Sequence, residues 1–120
     1  MPATRTHPRA RHDLVKGVER VREMRREWLR RSIIDYERDD ILATEVLKYQ
    51  VEPHHLRCLQ HQVRYPDEHM ILGWRGSGKT TICTIVKGIG RLLREPDSRT
   101  IVATKTATNA VAMLGEMKRN

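Results

Sequence analysis

Phenylalanine is missing from the 120 residues, and two Trp and three Tyr supply all the aromatic rings, 4% of the chain. Apolar residues reach 38%, below the ~45–50% of an average soluble domain, so only a small core is expected. The two cysteines, Cys58 and Cys83, are too few for a disulfide framework or a four-cysteine zinc ribbon, and a reducing, cytoplasmic setting is the expectation. Uninterrupted apolar runs extend only a few residues against the ~18 that span a bilayer, and the N-terminus carries no apolar h-region. Membrane-embedded and secreted classes are therefore excluded at this level, and no membrane partner is expected.

What is abundant is positive charge: 23 Lys and Arg against 15 Asp and Glu, a formal net charge of +8. Ten basic and four acidic residues fall within residues 1–31, so +6 of that excess sits in the first quarter. Residues 1–12, MPATRTHPRARH, hold two Pro, three Arg and almost nothing apolar, which predicts a disordered basic arm. Such an arm favours a polyanion by phosphate attraction, or serves as a solvated tail. An organellar transit peptide fits less well, because Ser is scarce and acids begin at Asp13.

Residues 13–50 read as a helical segment. Leu14, Val18, Val21, Met24 and Trp28 recur at spacings of 4, 3, 3 and 4, the stripe of an amphipathic docking helix. A second helical stretch follows, with Asp39 or Asp40 placed to cap the run Ile41, Leu42, Val46 and Leu47. Residues 51–120 read as the first portion of a P-loop ATPase domain. Pro53 suits the first turn of a helix over 53–64 with the apolar face Leu56, Leu59 and Val63. Then come a short apolar run, His69-Met70-Ile71-Leu72, a glycine-rich turn, and a helical pattern through Ile82, Ile85, Val86, Ile89 and Leu92 or Leu93. A β-branched run over 99–104 and a last helix carrying Ala110, Met113, Leu114 and Met117 complete the chain. Strand, helix and strand in that order predict an α/β fold, with N-terminal helices followed by a parallel βαβ unit of right-handed crossover.

The chemistry is concentrated in Gly73-Trp74-Arg75-Gly76-Ser77-Gly78-Lys79-Thr80, a complete G-x-x-x-x-G-K-T phosphate-loop pattern. Glycines at 73, 76 and 78 let the backbone curl so that its N–H groups, including that of Ser77, face phosphate oxygens. Lys79 supplies a mobile charge for the β and γ phosphates, and the Thr80 hydroxyl, followed by Thr81, can ligate Mg²⁺. ATP and Mg²⁺ are therefore the expected cofactors. Arg75 is a permanent cation that either reaches the γ phosphate or pairs with a surface acid. Trp74 either covers the nucleotide or simply packs.

On the preceding helix His54, Cys58 and His61 share one face at metal-ligand spacing, although no fourth ligand is evident, so a solvated surface is the competing reading. His55 and Gln62 lie on one edge of the apolar face and could hydrogen-bond adenine. After the loop no apolar strand ends in the acid that would hold the Mg²⁺ shell, no glutamate is placed to activate water, and Glu116 reads as surface. The expectation is a piece of a longer protein.

Residues 38–118 resemble the large terminase subunit of tailed bacteriophages, the ATPase that drives DNA into the procapsid. The resemblance rests on the acidic stretch RDDILATEVLKYQVEPHH, on the arginine-bearing loop WRGSGKTT after HMILG, and on RTIVATKTATNAVAML. It implies that Arg75 senses phosphates alongside the catalytic Lys79, and that an upstream side chain, His55, Gln60 or Gln62, meets the base. It also implies double-stranded DNA, further copies of the chain, a small terminase subunit and a portal as partners, in the host cytoplasm. The competing readings are another P-loop, helicase-like ATPase and a non-catalytic basic helical module that binds nucleic acid.

Overall fold

The computed structural model describes residues 7–120, and every regular element in it is helical: 68% helix and no strand. Helix α1 (Pro8–Arg30) places Pro8 in its first turn, where a missing N–H is no loss, and His7 accepts the Arg9 N–H as a cap. It runs on as a π-helical turn, π1 (Arg31–Asp35). Residues 8–12, expected in a disordered arm, thus belong to the helix, and residues 1–6 of that arm lie outside the described residues. After a left-handed residue, Glu37, come α2 (Asp39–Ile41) and a second π-helical turn, π2 (Leu42–Val46). Helix α3 (Pro53–Arg64) occupies the span its Pro53 start predicts. A third π-helical segment, π3 (Thr80–Val86), leads without a break into α4 (Lys87–Arg94), and α5 (Ala107–Arg119) is capped by the Thr106 hydroxyl accepting the Asn109 N–H.

The expected α/β fold with its parallel sheet is therefore corrected. Residues 69–72 and 99–104, read as strands from their apolar and β-branched content, are irregular and share no ladder of hydrogen bonds. β-Branched residues favour a strand only when neighbours supply packing and ladder partners, and an isolated pair of strands is not self-supporting. Neither condition is met: Met70, Leu72 and Ile101 are 80, 88 and 92% exposed, and a cavity of about 800 Å³ has both Ile71 and Ile101 on its wall.

The core is as small as the missing phenylalanines predict. Ile33 from π1, Leu42 and Ala43 from π2, Leu59 from α3, and Ile82 and Val86 from π3 form one buried cluster, with Ile89 and Tyr49 against it. The stripe predicted for α1 faces no partner among the described residues: Leu14, Val18, Val21, Met24 and Trp28 are each at least half exposed, and no residue of α1 is buried. An exposed ion pair, Arg25 to Glu45 at 3.0 Å, tethers it to π2 and contributes little in water.

Asp39 does not cap a helix. Its carboxylate is fully buried and accepts hydrogen bonds from Lys87 Nζ at 3.1 Å and Arg94 Nη1 at 2.9 Å, while the same Arg94 nitrogen donates to the Ile33 carbonyl at 3.2 Å. Gly90 makes room for this acid, since a Cβ there would collide with Asp39 Oδ1. Asp39→Ala should lower stability by about 3–5 kcal/mol, because it strands two cations beside the core. Urea melts followed by circular dichroism measure this, and superimposable curves for the two proteins would refute it.

Candidate functional site

The loop between residue 73 and the start of π3 is shaped by two left-handed glycines, Gly76 at φ +82° and Gly78 at φ +74°. Ser77 between them donates its N–H to the Trp74 carbonyl at 3.2 Å, closing a tight turn. The backbone N–H groups of Arg75, Gly76 and Gly78 have no acceptor among the described residues. The Ser77 hydroxyl oxygen is likewise buried with no hydrogen-bond partner, in a residue only 6% exposed. A buried hydroxyl is ordinarily satisfied, and exposed N–H groups in a glycine turn at the start of a helix suit an anion.

Lys79 arches back over the loop, its ammonium donating to the Gly73 carbonyl at 3.1 Å and the Trp74 carbonyl at 3.3 Å. Gly73 fits beneath it: a Cβ at that position would stand 3.0 Å from Ser77 Oγ and 3.4 Å from Lys79 Cδ. Thr80 is exposed, Thr81 is half-buried, and Lys79 and Thr80 both border the 800 Å³ cavity. Lys87, Arg91 and Arg94 stand on the same wall, two of them already engaged by Asp39. Arg75 is exposed and makes no ion pair among the described residues, so its guanidinium is free to meet an incoming anion. Trp74, 64% exposed, rests against the His54 ring with centroids 4.9 Å apart.

Helix α3 forms the loop's outer support, with a buried face different from the expected one. His55, Leu59 and Gln62 are buried, while Leu56 and Val63 are 36 and 43% exposed. His55 has both ring nitrogens occupied. Its Nδ1 accepts the Glu52 N–H at 3.0 Å, which places the proton on Nε2, and Nε2 donates to the Ser77 carbonyl at 2.6 Å. His54 donates to the same carbonyl at 2.9 Å. His55 therefore has no nitrogen left for adenine. Gln62 donates its amide to the Cys83 carbonyl at 2.9 Å inside π3, leaving its buried Oε1 without a partner beside the cavity. That oxygen, unlike the His55 nitrogens, keeps an open acceptor position but has almost no exposed surface, whereas Gln60 is exposed on another face.

The candidate metal triplet is dispersed. His54 belongs to the loop contact, His61 packs on Tyr65 with centroids 4.9 Å apart, and Cys58 lies beside Cys83. Among the described residues no group of three His, Cys, Asp or Glu is arranged to hold a metal ion. Glu116, read as plain surface, accepts the Tyr49 hydroxyl at 2.9 Å; burial and this carboxylate both raise the Tyr49 pKa. Periodicity misses the contribution of His54 to the loop, because it sets His54 with Cys58 and His61 on the face opposite the apolar one and leaves only His55 and Gln62 on the polar edge.

No family model, curated protein or solved structure matches the chain. No helix among the described residues is long and apolar enough to cross a membrane.

Burial, with the adjacent Cys58 thiol adding to it, pushes the Cys83 thiol up to about 12. Almost none of it is thiolate at pH 8, and thiolate is the form that alkylates. Iodoacetamide at pH 8 should therefore modify the native protein at Cys58 and spare Cys83 until urea is added. Intact-mass and peptide analysis read the two sites separately, and equal labelling of both in the native state would contradict the burial argument.

Proposed function

We propose that residues 73–81 bind the phosphates of ATP together with Mg²⁺, with Lys79 and Arg75 as the phosphate cations and the Thr80 hydroxyl on the metal. The observation that carries the reading is the loop itself: a complete G-x-x-x-x-G-K-T sequence with open N–H groups, an unpartnered Ser77 hydroxyl and a Lys79 arched back over it. In the bound state Lys79 exchanges two carbonyl acceptors for phosphate oxygens, which form stronger charge-assisted bonds. The reading rests on this loop and on the cavity beside Lys79 and Thr80, and it takes nothing from a sheet.

The finer reading is the ATP-binding part of a viral DNA-packaging motor, supported by the resemblance of residues 38–118 to large terminase subunits. It brings double-stranded DNA, further copies of the chain, a small terminase subunit and a portal as its proposed partners, and the host cytoplasm as its setting. ATP with Mg²⁺ should raise the melting temperature of the chain, since a ligand that binds only the native state stabilises it by mass action. At a ligand concentration of about 100 Kd the gain is about 2.7 kcal/mol. Lys79→Ala should remove the shift, and a mutant that responds like the parent would refute the phosphate assignment.

A second reading, a basic helical module that binds nucleic acid, is favoured by one observation. Arg20, Arg22 and Arg26 project from α1 and make no ion pair among the described residues. Phosphate contacts through such side chains are independent of base sequence and steeply salt-dependent. Replacing the three by Ala should weaken duplex binding at every sequence and flatten the plot of log K against log salt by up to about 2.7, at about 0.9 per lost contact. Fluorescence anisotropy at several salt concentrations provides the slope, and an unchanged slope would remove α1 from any DNA contact.

A further inference from the structure

The Ser77 carbonyl receives two imidazole donors from the first turn of α3, His55 at 2.6 Å and His54 at 2.9 Å. One oxygen with two ring-nitrogen donors is a strong constraint on the peptide that carries it. A trans peptide is planar, and its C=O and the following N–H point in opposite directions. Anchoring the Ser77 carbonyl on α3 therefore turns the Gly78 N–H away from α3, and this N–H is one of the loop donors that has no acceptor among the described residues. Gly78 is held at φ +74°, and its Cα approaches so closely that a Cβ would stand 2.9 Å from His55 Nε2. The His55 ring is itself fixed from behind, because the Glu52 N–H occupies its other nitrogen at 3.0 Å. His54 is braced between the His55 ring at 4.0 Å and Trp74 at 4.9 Å.

We infer that His54 and His55 are positioning residues for the phosphate loop: they fix the Ser77–Gly78 peptide so that the Gly78 N–H is preset for an anion. The inference rests on the phosphate-binding reading and deepens it, since neither histidine touches the ligand. A preset donor contributes its full hydrogen bond on binding, whereas a peptide free to rotate must first be ordered. His55 is the larger contributor, being buried and bonded on both nitrogens, and His54 the smaller.

The test uses the 120-residue chain with Mg²⁺-ATP as probe, in isothermal titration, with the ligand-free melting temperature and the amide resonance of ¹⁵N-labelled Gly78 recorded alongside. His55→Ala should weaken Mg²⁺-ATP about tenfold, the worth of one hydrogen bond to a charged group. It should also move the Gly78 amide resonance in the ligand-free protein. His55→Gln keeps an N–H donor at similar reach and should recover most of the affinity, and His54→Ala should cost less than His55→Ala. Should His55→Ala prove too unstable to titrate, His54→Ala and His55→Gln carry the comparison: the expected order is parent, then His55→Gln, with His54→Ala weaker than the parent.

Parent binding with undiminished affinity in both alanine variants would overturn the positioning role and leave the phosphate-binding reading standing. Affinity lost equally in His55→Ala and His55→Gln, with an unmoved Gly78 resonance, would also overturn it, because packing and not the donor would then matter. No binding by the parent, matched by Lys79→Ala, would overturn the phosphate-binding reading and the inference together.

Discussion

A carboxylate with no exposed surface, Asp39, ties the two halves of this small structure to each other. It stands at the start of α2 and is held by Lys87 and Arg94, one at each end of α4. Because Arg94 also reaches the Ile33 carbonyl, the same contact fixes π1, and through it the side chain of Ile33 in the core. With few apolar residues and no phenylalanine, the hydrophobic cluster alone has limited area, and an ion network of this kind determines which faces meet more than how tightly they bind. Glycine at 90 is what allows a charged group into that position.

That arrangement sets where the glycine-rich loop can be. Residues 80–94 form one continuous helical rod whose far end is anchored by Asp39 and whose near end begins in the loop. Helix α3 lies alongside and makes two contacts, with the loop at the Ser77 carbonyl through His54 and His55 and with the rod at the Cys83 carbonyl through Gln62. The second contact has a physical cause. A π-helical segment pairs its carbonyls out of the ordinary register, and a side-chain amide from the neighbouring helix supplies a donor inside it.

Much of the site could be read from the chain, and the failures share a cause. The loop was legible because G-x-x-x-x-G-K-T states its own backbone needs, and α3 was legible because Pro53 marks its start and its apolar spacing its length. Its buried face was not: His55 and Gln62 turn inward, beyond the edge drawn through Leu56 and Val63, because the loop and π3 offer carbonyls that only polar side chains can meet. Asp39 sits in the charged run Glu37, Arg38, Asp39 and Asp40, where one buried acid looks like its solvated neighbours. Arg38 in fact pairs with Asp40, keeping that carboxyl below its usual range through the hydrogen bond it donates. The two expected strands failed for a different reason, since β-branched residues specify a strand only through partners that a local pattern does not contain.

Helix α1 gives the molecule two clocks. Twenty-three residues of helix span about 35 Å at 1.5 Å per residue, and none of them is buried. Its hydrogen bonds open by local fraying, at a free energy far below that of global unfolding. Amides in π3, behind Ile82, Ile85 and Val86, open only when the core does. The radius of gyration, 19.8 Å against about 13–14 Å for a compact chain of this length, records the same division in space. In solution the chain therefore moves as a slow, elongated particle whose basic rod exchanges its protons long before the amides of π3 do.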